Sequence, residues 1–373
     1  MRRNNHHPDK IDLDIVRAIN EIGVPQLTEI AKRVGLSHEG VRYRLNKLIK
    51  DRQIAFYPII EHLMIGLTRV NVFVDVVPKC IPVFPSVIKA IPYWTYYAKS
   101  LGNANGYQVM YLVPNEPSVL EDLDSFFDRL VEMGIVNHYT KVRTLEPFRY
   151  GHMFNDLSEE HYTDILEQDP ISDELEPYLK YASQAMSLKK VRIDDTDIAF
   201  IEELIKSDEP VRKYTEIAEK LGMKAATLRY HVREHLVKKR VFRGVYAFLL
   251  PPYRKWGDLT LIIEDDGKFV LKFVSFLVKR KHQLLLYATP SKSMHVIVLG
   301  FIYFPFVAEV LRIVEKAAYD GFVKSYKYFL IDTTKTGTNV VYQQNFKNGE
   351  WVWDFEKYVT KMEECARRIC LYV

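Results

Sequence analysis

Apolar residues in the first sixty positions recur at helical spacing. Ile11, Ile15, Ala18, Ile19 and Ile22 lie on one stripe, which predicts an amphipathic helix that Gly23 and Pro25 end. Thr28 is placed to cap a short helix carrying Ile30, Ala31 and Val34, stopped by Gly35. Ser37 is placed to cap a third helix running to about Arg52, with Val41, Leu45, Leu48 and Ile49 inward. Helix, short helix, glycine-containing turn and longer helix is the order of a helix-turn-helix. A strand from Ile54 to Ile60 stands where a wing belongs.

Downstream the period changes from helical to alternating. Val70, Val72, Val74 and Val76 share one face of a strand from Arg69 to Val77, and a Pro-punctuated helix follows from Pro82 to Ala90. Strands from Trp94 to Ser100 and from Tyr107 to Pro114 are joined by Gly102-Asn103-Ala104-Asn105-Gly106. A helix from Pro117 to Met133 and a strand from Val136 to Leu145 complete the ferredoxin-like order βαββαβ. The second half reads likewise, from a strand at Leu259–Glu264 through helices Lys268–Val278 and Pro305–Tyr319 to a strand at Val323–Asp332.

The two halves resemble one another in sequence. Thr28-Glu29-Ile30-Ala31 recurs as Thr215-Glu216-Ile217-Ala218, an offset of 187 in a chain of 373 residues. The same offset pairs Gly35 with Gly222, Arg42-Tyr43 with Arg229-Tyr230, Arg44 with His231, Ile54 with Val241 and Tyr139 with Tyr326. Duplication of one unit is the expectation. It gives an α+β fold class, with two helix-turn-helix (winged-helix) domains and two ferredoxin-like domains of the RAM/AsnC effector type in tandem. The expected boundaries are 1–60 and 191–250 for the helix-turn-helices and 66–150 and 256–334 for the ferredoxin-like domains. An acidic, partly helical connector spans 151–190, and 335–373 is an extension with an amphipathic helix expected to pack on the chain itself.

Composition narrows the class. Hydrophobic residues make up 48%, enough for several cores, and no run of apolar residues is long enough to span a membrane. The first residues are polar, so the expected location is the cytoplasm. Cys80, Cys365 and Cys370 form no paired metal motif and are expected to be structural thiols; no metal or cofactor is expected. No P-loop, GxSxG or HExxH pattern is present, and no catalytic residue is assigned.

The net charge is only +4, but its distribution is uneven. Ten Lys/Arg face three acids between Arg212 and Arg243, and seven face three between Thr28 and Pro58. Cationic charge therefore coincides twice with the helix-turn-helix pattern, where a polyanion would lie. In a DNA-binding helix-turn-helix the third helix enters the major groove by its first turns. His38, Glu39, Arg42 and Tyr43 are therefore candidates for base edges and Arg44, Lys47 and Lys50 for phosphates, with Ser37 and Asn46 as further DNA-binding candidates. In the second half the candidates are Lys224, Thr227, Arg229, Tyr230, His231, Arg233, Lys238, Lys239 and Arg240.

The segment TEIAKRVGLSHEGVRYRLNKLIKDRQI resembles the Lrp/AsnC family of bacterial and archaeal transcription regulators. It has an Ile-Ala pair in the second helix, Gly-Leu-Ser at the turn, and the ladder Val41, Arg44, Leu45, Leu48. The resemblance, read as of archaeal type, implies a sequence-specific regulator of double-stranded DNA, dimerising through its effector domains and answering to a small-molecule effector. Gly102, Asn103, Asn105, Gly106 and Tyr107 are then the effector-binding candidates. The chain departs from the family at Gln53 and Arg240, where glycine is common, and at Gln108, where an acid is common. Pairing of the two halves within one chain would mimic the family's dimer, and pairing between chains is the alternative. Two other functions fit the same build. A siroheme decarboxylase would call on His138, Arg143, Arg149 and His152, without a matching motif, and a chromatin-type protein would bind DNA without sequence preference.

Overall fold

The computed structural model describes residues 8–23, 27–150, 171–206, 214–250, 257–266, 268–280, 282–291, 293–302 and 304–371. In chain order, the first half folds as α1 (Lys10–Ile22), α2 (Leu27–Val34), α3 (His38–Lys50) and β1 (Ile54–Ile60). Then come β2 (Leu67–Val76), α4 (Phe84–Ile88), β3 (Trp94–Gly102), β4 (Gly106–Pro114), α5 (Pro117–Glu132) and β5 (Val136–Thr144). A strand β6 (Pro147–Tyr150) and helix α6 (Glu176–Gln184) lead into α7 (Asp195–Lys206), α8 (Tyr214–Lys220), α9 (Ala225–Tyr230) and β7 (Phe242–Leu249). They are followed by β8 (Gly257–Asp265), α10 (Lys268–Lys279), β9 (Leu284–Tyr287), β10 (Met294–Ile302), α11 (Phe304–Tyr319) and β11 (Val323–Thr338). Last are α12 (Tyr342–Asn345), a β12–β13 hairpin (Phe346–Lys347, Glu350–Trp351) and α13 (Phe355–Leu371). No helix among the described residues is long and apolar enough to cross a membrane.

The α+β class with winged helix-turn-helix and ferredoxin-like domains is the observed one, and most local signals act where the sequence puts them. Gly23 takes a left-handed φ of 74° and closes α1, its N–H bonding the Ile19 carbonyl at 2.9 Å. Ser37 Oγ accepts the Gly40 N–H at 3.0 Å and starts α3. Thr28 is an exception: α2 begins at Leu27, so Thr28 lies inside the first turn and is not its cap. The chain forms two compact units, and each draws on both halves of the sequence.

The first unit comprises Met1–Ile65, Lys190–Arg254 and Tyr342–Val352. Its two wing strands form their own two-stranded sheet, β1 antiparallel to β7, from Ile54↔Leu249 to Ile60↔Phe242. Asn20 of α1 holds the second half's strand by both ends of its amide. Its Nδ2 donates to the Ala247 carbonyl at 2.9 Å, and its Oδ1 accepts the Ala247 N–H at 2.6 Å. Ala247 is fully buried within the first helix-turn-helix core of Ile15, Val16, Ile19, Ile30, Val41, Leu45 and Leu48. Burying each of the larger aliphatic side chains in that core contributes about 1.5–3 kcal/mol.

The register of this sheet corrects the sequence alignment. The pair Tyr57↔Tyr246 exchanges with Pro58↔Val245, and Phe56↔Ala247 with Ile59↔Gly244, under a shift of 188 rather than 187. Arg52 and Arg240, 188 apart, are the residues with left-handed φ (53° and 60°) that end the two third helices. Ile54 therefore matches Phe242, not Val241. The extra residue is absorbed in a π-helical turn, His231–Val237, that continues α9; there Lys238 N–H reaches five residues back to Arg233 O at 3.0 Å.

The second unit comprises Gly66–Lys189, Lys255–Val341 and Trp353–Val373. It is built on one antiparallel sheet of nine strands, ordered β5-β2-β4-β3-β11-β8-β10-β9-β6. Each ferredoxin-like half contributes four strands with its first and third at the centre, and the halves join edge to edge at β3–β11. The strand β6, which no alternation of apolar residues marks in the sequence, pairs with β9. Its pairs Tyr150↔Leu284 and Arg149↔Leu285 become Gly337↔Tyr97 and Thr336↔Ala98 when the halves are exchanged at the 187 offset. Each half's last strand thus runs on to cover the other half's second strand, a reciprocity of the isologous kind. Lys327 Nζ donates to Thr140 Oγ1 at 2.9 Å, and these two residues are themselves 187 apart.

Phe73 of β2 stacks on Phe329 of β11 with ring centroids 3.9 Å apart, although the two strands lie three places apart in the order. In a flat sheet that separation would be about 14 Å, so the sheet curls until one face packs on itself. Tyr358, Met362 and Ala366 of α13 are buried as their spacing predicts; the helix packs beside α4, and Trp353 Nε1 just before it donates to Asp122 of α5 at 2.8 Å.

Gly244 lets β7 close against the C-terminal end of α1. Its φ is 130°, and a Cβ there would meet the Gly23 carbonyl oxygen at 2.5 Å. Gly244→Ala is expected to lower the stability of the first unit by about 1–3 kcal/mol or more, because strain and a backbone collision act together. Urea unfolding of the full chain measures it, and an unchanged midpoint would contradict the assignment.

Candidate nucleic-acid interface

The outward face of α3 is set by the three residues that face inward. Val41, Leu45 and Leu48 are buried, so His38, Glu39, Arg42, Tyr43, Asn46 and Lys50 lie on the exposed side with Ser37 at its start. Tyr43 is 69% exposed, so most of its side chain faces solvent. Glu39 lies 3.8 Å from Arg42 and 3.4 Å from His38, exposed contacts of little energetic weight that a competing phosphate or base could displace. Lys50 meets no acid among the described residues.

Two of the expected phosphate contacts are placed differently. Arg44 turns back toward α1, where Asp9 and Asp12 form a reciprocal capping box: Asp12 N–H donates to Asp9, and Asp9 N–H to Asp12, both at 3.0 Å. Arg44 Nη1 donates to Asp9 Oδ2 at 2.8 Å and to Asp12 Oδ1 at 2.9 Å, and Asp12 has a side chain only 2% exposed. The guanidinium holds the Asp9 carboxyl below the usual carboxylate range, and the carboxylates in turn raise the Arg44 value. Arg44 therefore clamps α3 to the N-terminus of α1 instead of reaching for a phosphate. Lys47, half-buried, lines the same hollow as Asp12 and Arg44.

In the second half Leu228, Val232 and Leu236 face inward, and Lys224, Thr227, Arg229, Tyr230, Arg233, Lys238 and Arg240 are exposed. Tyr230, at 55% exposure, takes the position of Tyr43. Arg233 and Lys238 both bond Glu234, at 2.7 and 2.6 Å, which holds that carboxyl below the usual range. Lys239 is turned to the Arg192 carbonyl at 3.2 Å. His231, a DNA-binding candidate from the sequence, also points away from the outer face: its Nδ1 lies 3.1 Å from Asp197 Oδ1. It occupies the place of Arg44, because Asp194 and Asp197 cap α7 as Asp9 and Asp12 cap α1. His235 joins the same cluster, and the sequence reading did not single it out. The one signal available was its four-residue spacing from His231.

The effector candidates sit in the β3–β4 turn of the second unit, and their polar groups are engaged within it. Asn103 exchanges two bonds with the Tyr328 backbone, at 3.1 and 2.7 Å, and accepts His138 Nε2 at 3.1 Å on its carbonyl. Asn105 N–H donates to Asp75 at 2.8 Å, and the Tyr107 hydroxyl donates to the Ile81 carbonyl at 2.9 Å. A Cβ at Gly102 would meet Tyr328 O at 2.9 Å, and one at Gly106 would strike the Val74 carbonyl, so both glycines serve close backbone approach. Of the side chains an enzyme reading would use, Arg143 donates to Thr68 at 3.0 Å and Asn115 at 2.6 Å, Arg149 lies half-buried on β6, and His152 is outside the described residues.

Comparison with known proteins follows the same division. Residues 8–54 match a family model described as winged helix-turn-helix DNA-binding. Among curated proteins, none matches the chain. Over its whole length the chain is similar in structure to the siroheme decarboxylase NirDL. The two share 14% identity and a TM-score of 0.54, with 97% of this chain and 99% of that one covered. An AsnC family transcriptional regulator from Agrobacterium tumefaciens aligns over 41% of this chain and 99% of its own, at 18% identity and a TM-score of 0.30. LrpC of B. subtilis aligns over 36% of this chain and 93% of its own, at 18% identity and a TM-score of 0.29.

Loss of the clamp is measurable apart from any ligand. Arg44→Met is expected to cost about 1.5–3 kcal/mol, since two charge-assisted bonds to Asp9 and Asp12 disappear. Because Arg44 lowers the folded-state value of Asp9, that contribution is complete above the ordinary carboxylate pKa and is lost as the pH falls below about 4. Urea midpoints between pH 3 and 7 should therefore fall less steeply with acid in the variant. Parallel curves would show that Asp9 and Arg44 are not coupled. The chain thus carries a winged helix-turn-helix DNA-binding domain at residues 8–54, within a whole-chain fold similar to that of siroheme decarboxylase NirDL.

Proposed function

We propose that the protein is a sequence-specific, double-stranded-DNA-binding transcription regulator whose chain arose by duplication and carries both readers itself. The observation that carries this reading is the pair of matching outward faces in the first unit. Arg42 and Tyr43 on α3, and Arg229 and Tyr230 on α9, are exposed at equivalent positions, and β1–β7 pairing ties their two domains into one unit. Arginine on the first turns of a recognition helix suits guanine O6 and N7, and the lysines at the helix ends suit phosphates. The two readers differ in sequence, which suits an imperfect palindrome with half-sites about one helical turn, or a multiple, apart. Within this reading the pairing of the halves supplies inside one chain what two chains supply in a dimeric regulator. A cytoplasmic location and an effector belong to the same proposal, the effector at a place other than the engaged β3–β4 turn.

A second reading, decarboxylation of siroheme, is supported by the whole-chain likeness in fold to NirDL. It gives no use to the exposed cationic helix faces, and Arg143 is already bonded to Thr68 and Asn115.

On the strongest site found by genome-wide occupancy, Arg42→Ala and Arg229→Ala are each expected to weaken binding by about 1–3 kcal/mol and to relax preference at one base pair. Lys50→Ala should instead weaken all sequences alike and lower the salt slope by about one. Affinity that falls with salt but shows no sequence preference would make the protein a chromatin-type binder. Tight uptake of an iron tetrapyrrole with no affinity for DNA would establish the enzyme reading.

A further inference from the structure

The two helix-turn-helices differ most where Arg44 has no arginine counterpart. In the first half, the carboxylates of Asp9 and Asp12 face one guanidinium. In the second, Asp194 and Asp197 face two imidazoles. His231 Nδ1 is 3.1 Å from Asp197 Oδ1 and 3.5 Å from Asp194 Oδ2; His235 Nδ1 is 3.0 Å from Asp197 Oδ2 and 3.9 Å from Asp194 Oδ2. One ligand atom from each of the four residues falls within 4.8 Å of all the others. The edges of a tetrahedron drawn around zinc at ordinary bond lengths are about 3.3 Å, inside the 3.0–3.9 Å range of the four carboxylate–imidazole distances, so a modest inward shift of the side chains would close the set on an ion.

Charge and burial set this cluster apart from a pair of ordinary hydrogen bonds. Asp197 has a fully buried side chain, and a carboxylate taken out of water needs a compensating positive charge. A divalent ion would supply it. The backbone is also altered to build the cluster. The added residue and the π-helical turn at His231–Val237 keep Leu236 in the buried place of Leu48, while His235 reaches Asp197. Single π turns concentrate at functional sites. The carboxylates are themselves oriented, since Asp194 Oδ1 accepts two backbone N–H groups at 3.0 Å and Asp197 Oδ2 accepts the Asp194 N–H at 3.1 Å.

We propose that Asp194, Asp197, His231 and His235 bind a first-row divalent metal ion, zinc by its donor set, which pins the second recognition helix to the N-terminus of α7. Four protein donors without an open position make the site structural rather than catalytic. Imidazole nitrogen with carboxylate oxygen suits zinc or cobalt and disfavours calcium and magnesium, which take oxygen alone. The site does not depend on what the exposed face of that helix binds.

The test uses the full chain, stripped with a chelator and titrated with Zn²⁺ by equilibrium dialysis and with Co²⁺ by visible absorption. One equivalent of zinc, the intense visible bands of four-coordinate Co²⁺, and a raised thermal midpoint are expected. His231→Ala with His235→Ala should abolish uptake. Asp194→Asn, which keeps the cap on α7, should weaken it at least about 100-fold while the circular dichroism stays unchanged. Failure of the wild-type chain to take up either ion would overturn the proposal. So would an equivalent that persists in the double variant, held for example at His6-His7.

Discussion

A single exposed strand cannot stand alone, and that constraint organises the first unit. Each helix-turn-helix ends in one wing strand whose backbone N–H and C=O groups would face water without a ladder. Pairing β1 with β7 satisfies both edges at once, and Ala247 then enters the core of the other half's helices. Gly23, Gly244 and Asn20 are the local devices that allow this close approach. The same logic governs the second unit, where β6 and the far end of β11 run on to cover the other half's second strand. Both helix-turn-helices therefore belong to one folded body, and so do both ferredoxin-like halves.

This arrangement divides the basic residues of the third helices into two populations. Arg44 and His231 face capping boxes and tie each third helix to the start of its domain's first helix. Arg42 and Arg229 face outward, each beside an exposed tyrosine, Tyr43 or Tyr230. Charge counting along the sequence cannot separate the two groups, because partners such as Asp9 and Asp12 lie more than thirty residues away.

Much of the fold was legible because it rests on local periodicity. The strand Ile54–Ile60, the Ser37 cap and the βαββαβ order follow from spacing and turn residues that act within a few positions. The misreadings have equally physical causes. A π turn absorbs one residue without disturbing the apolar pattern, so an offset of 187 looked continuous while the strands pair at 188. The strand β6 is too short to show alternation, and only its partner β9 makes it a strand. The turn from Gly102 to Tyr107 carries the polar and glycine residues of a binding loop, yet Tyr328 and Asp75 from distant strands engage them. The Asp–His cluster was hidden for the same reason, since its two halves lie on different helices.

The account depends on two non-identical cationic readers acting on one duplex. Selection of full-length protein against a random-sequence duplex library, at low and at physiological salt, addresses that dependence most directly. The account predicts enrichment of one bipartite site with two related but unequal half-sites. Recovery of an unenriched pool at both salt concentrations would contradict it.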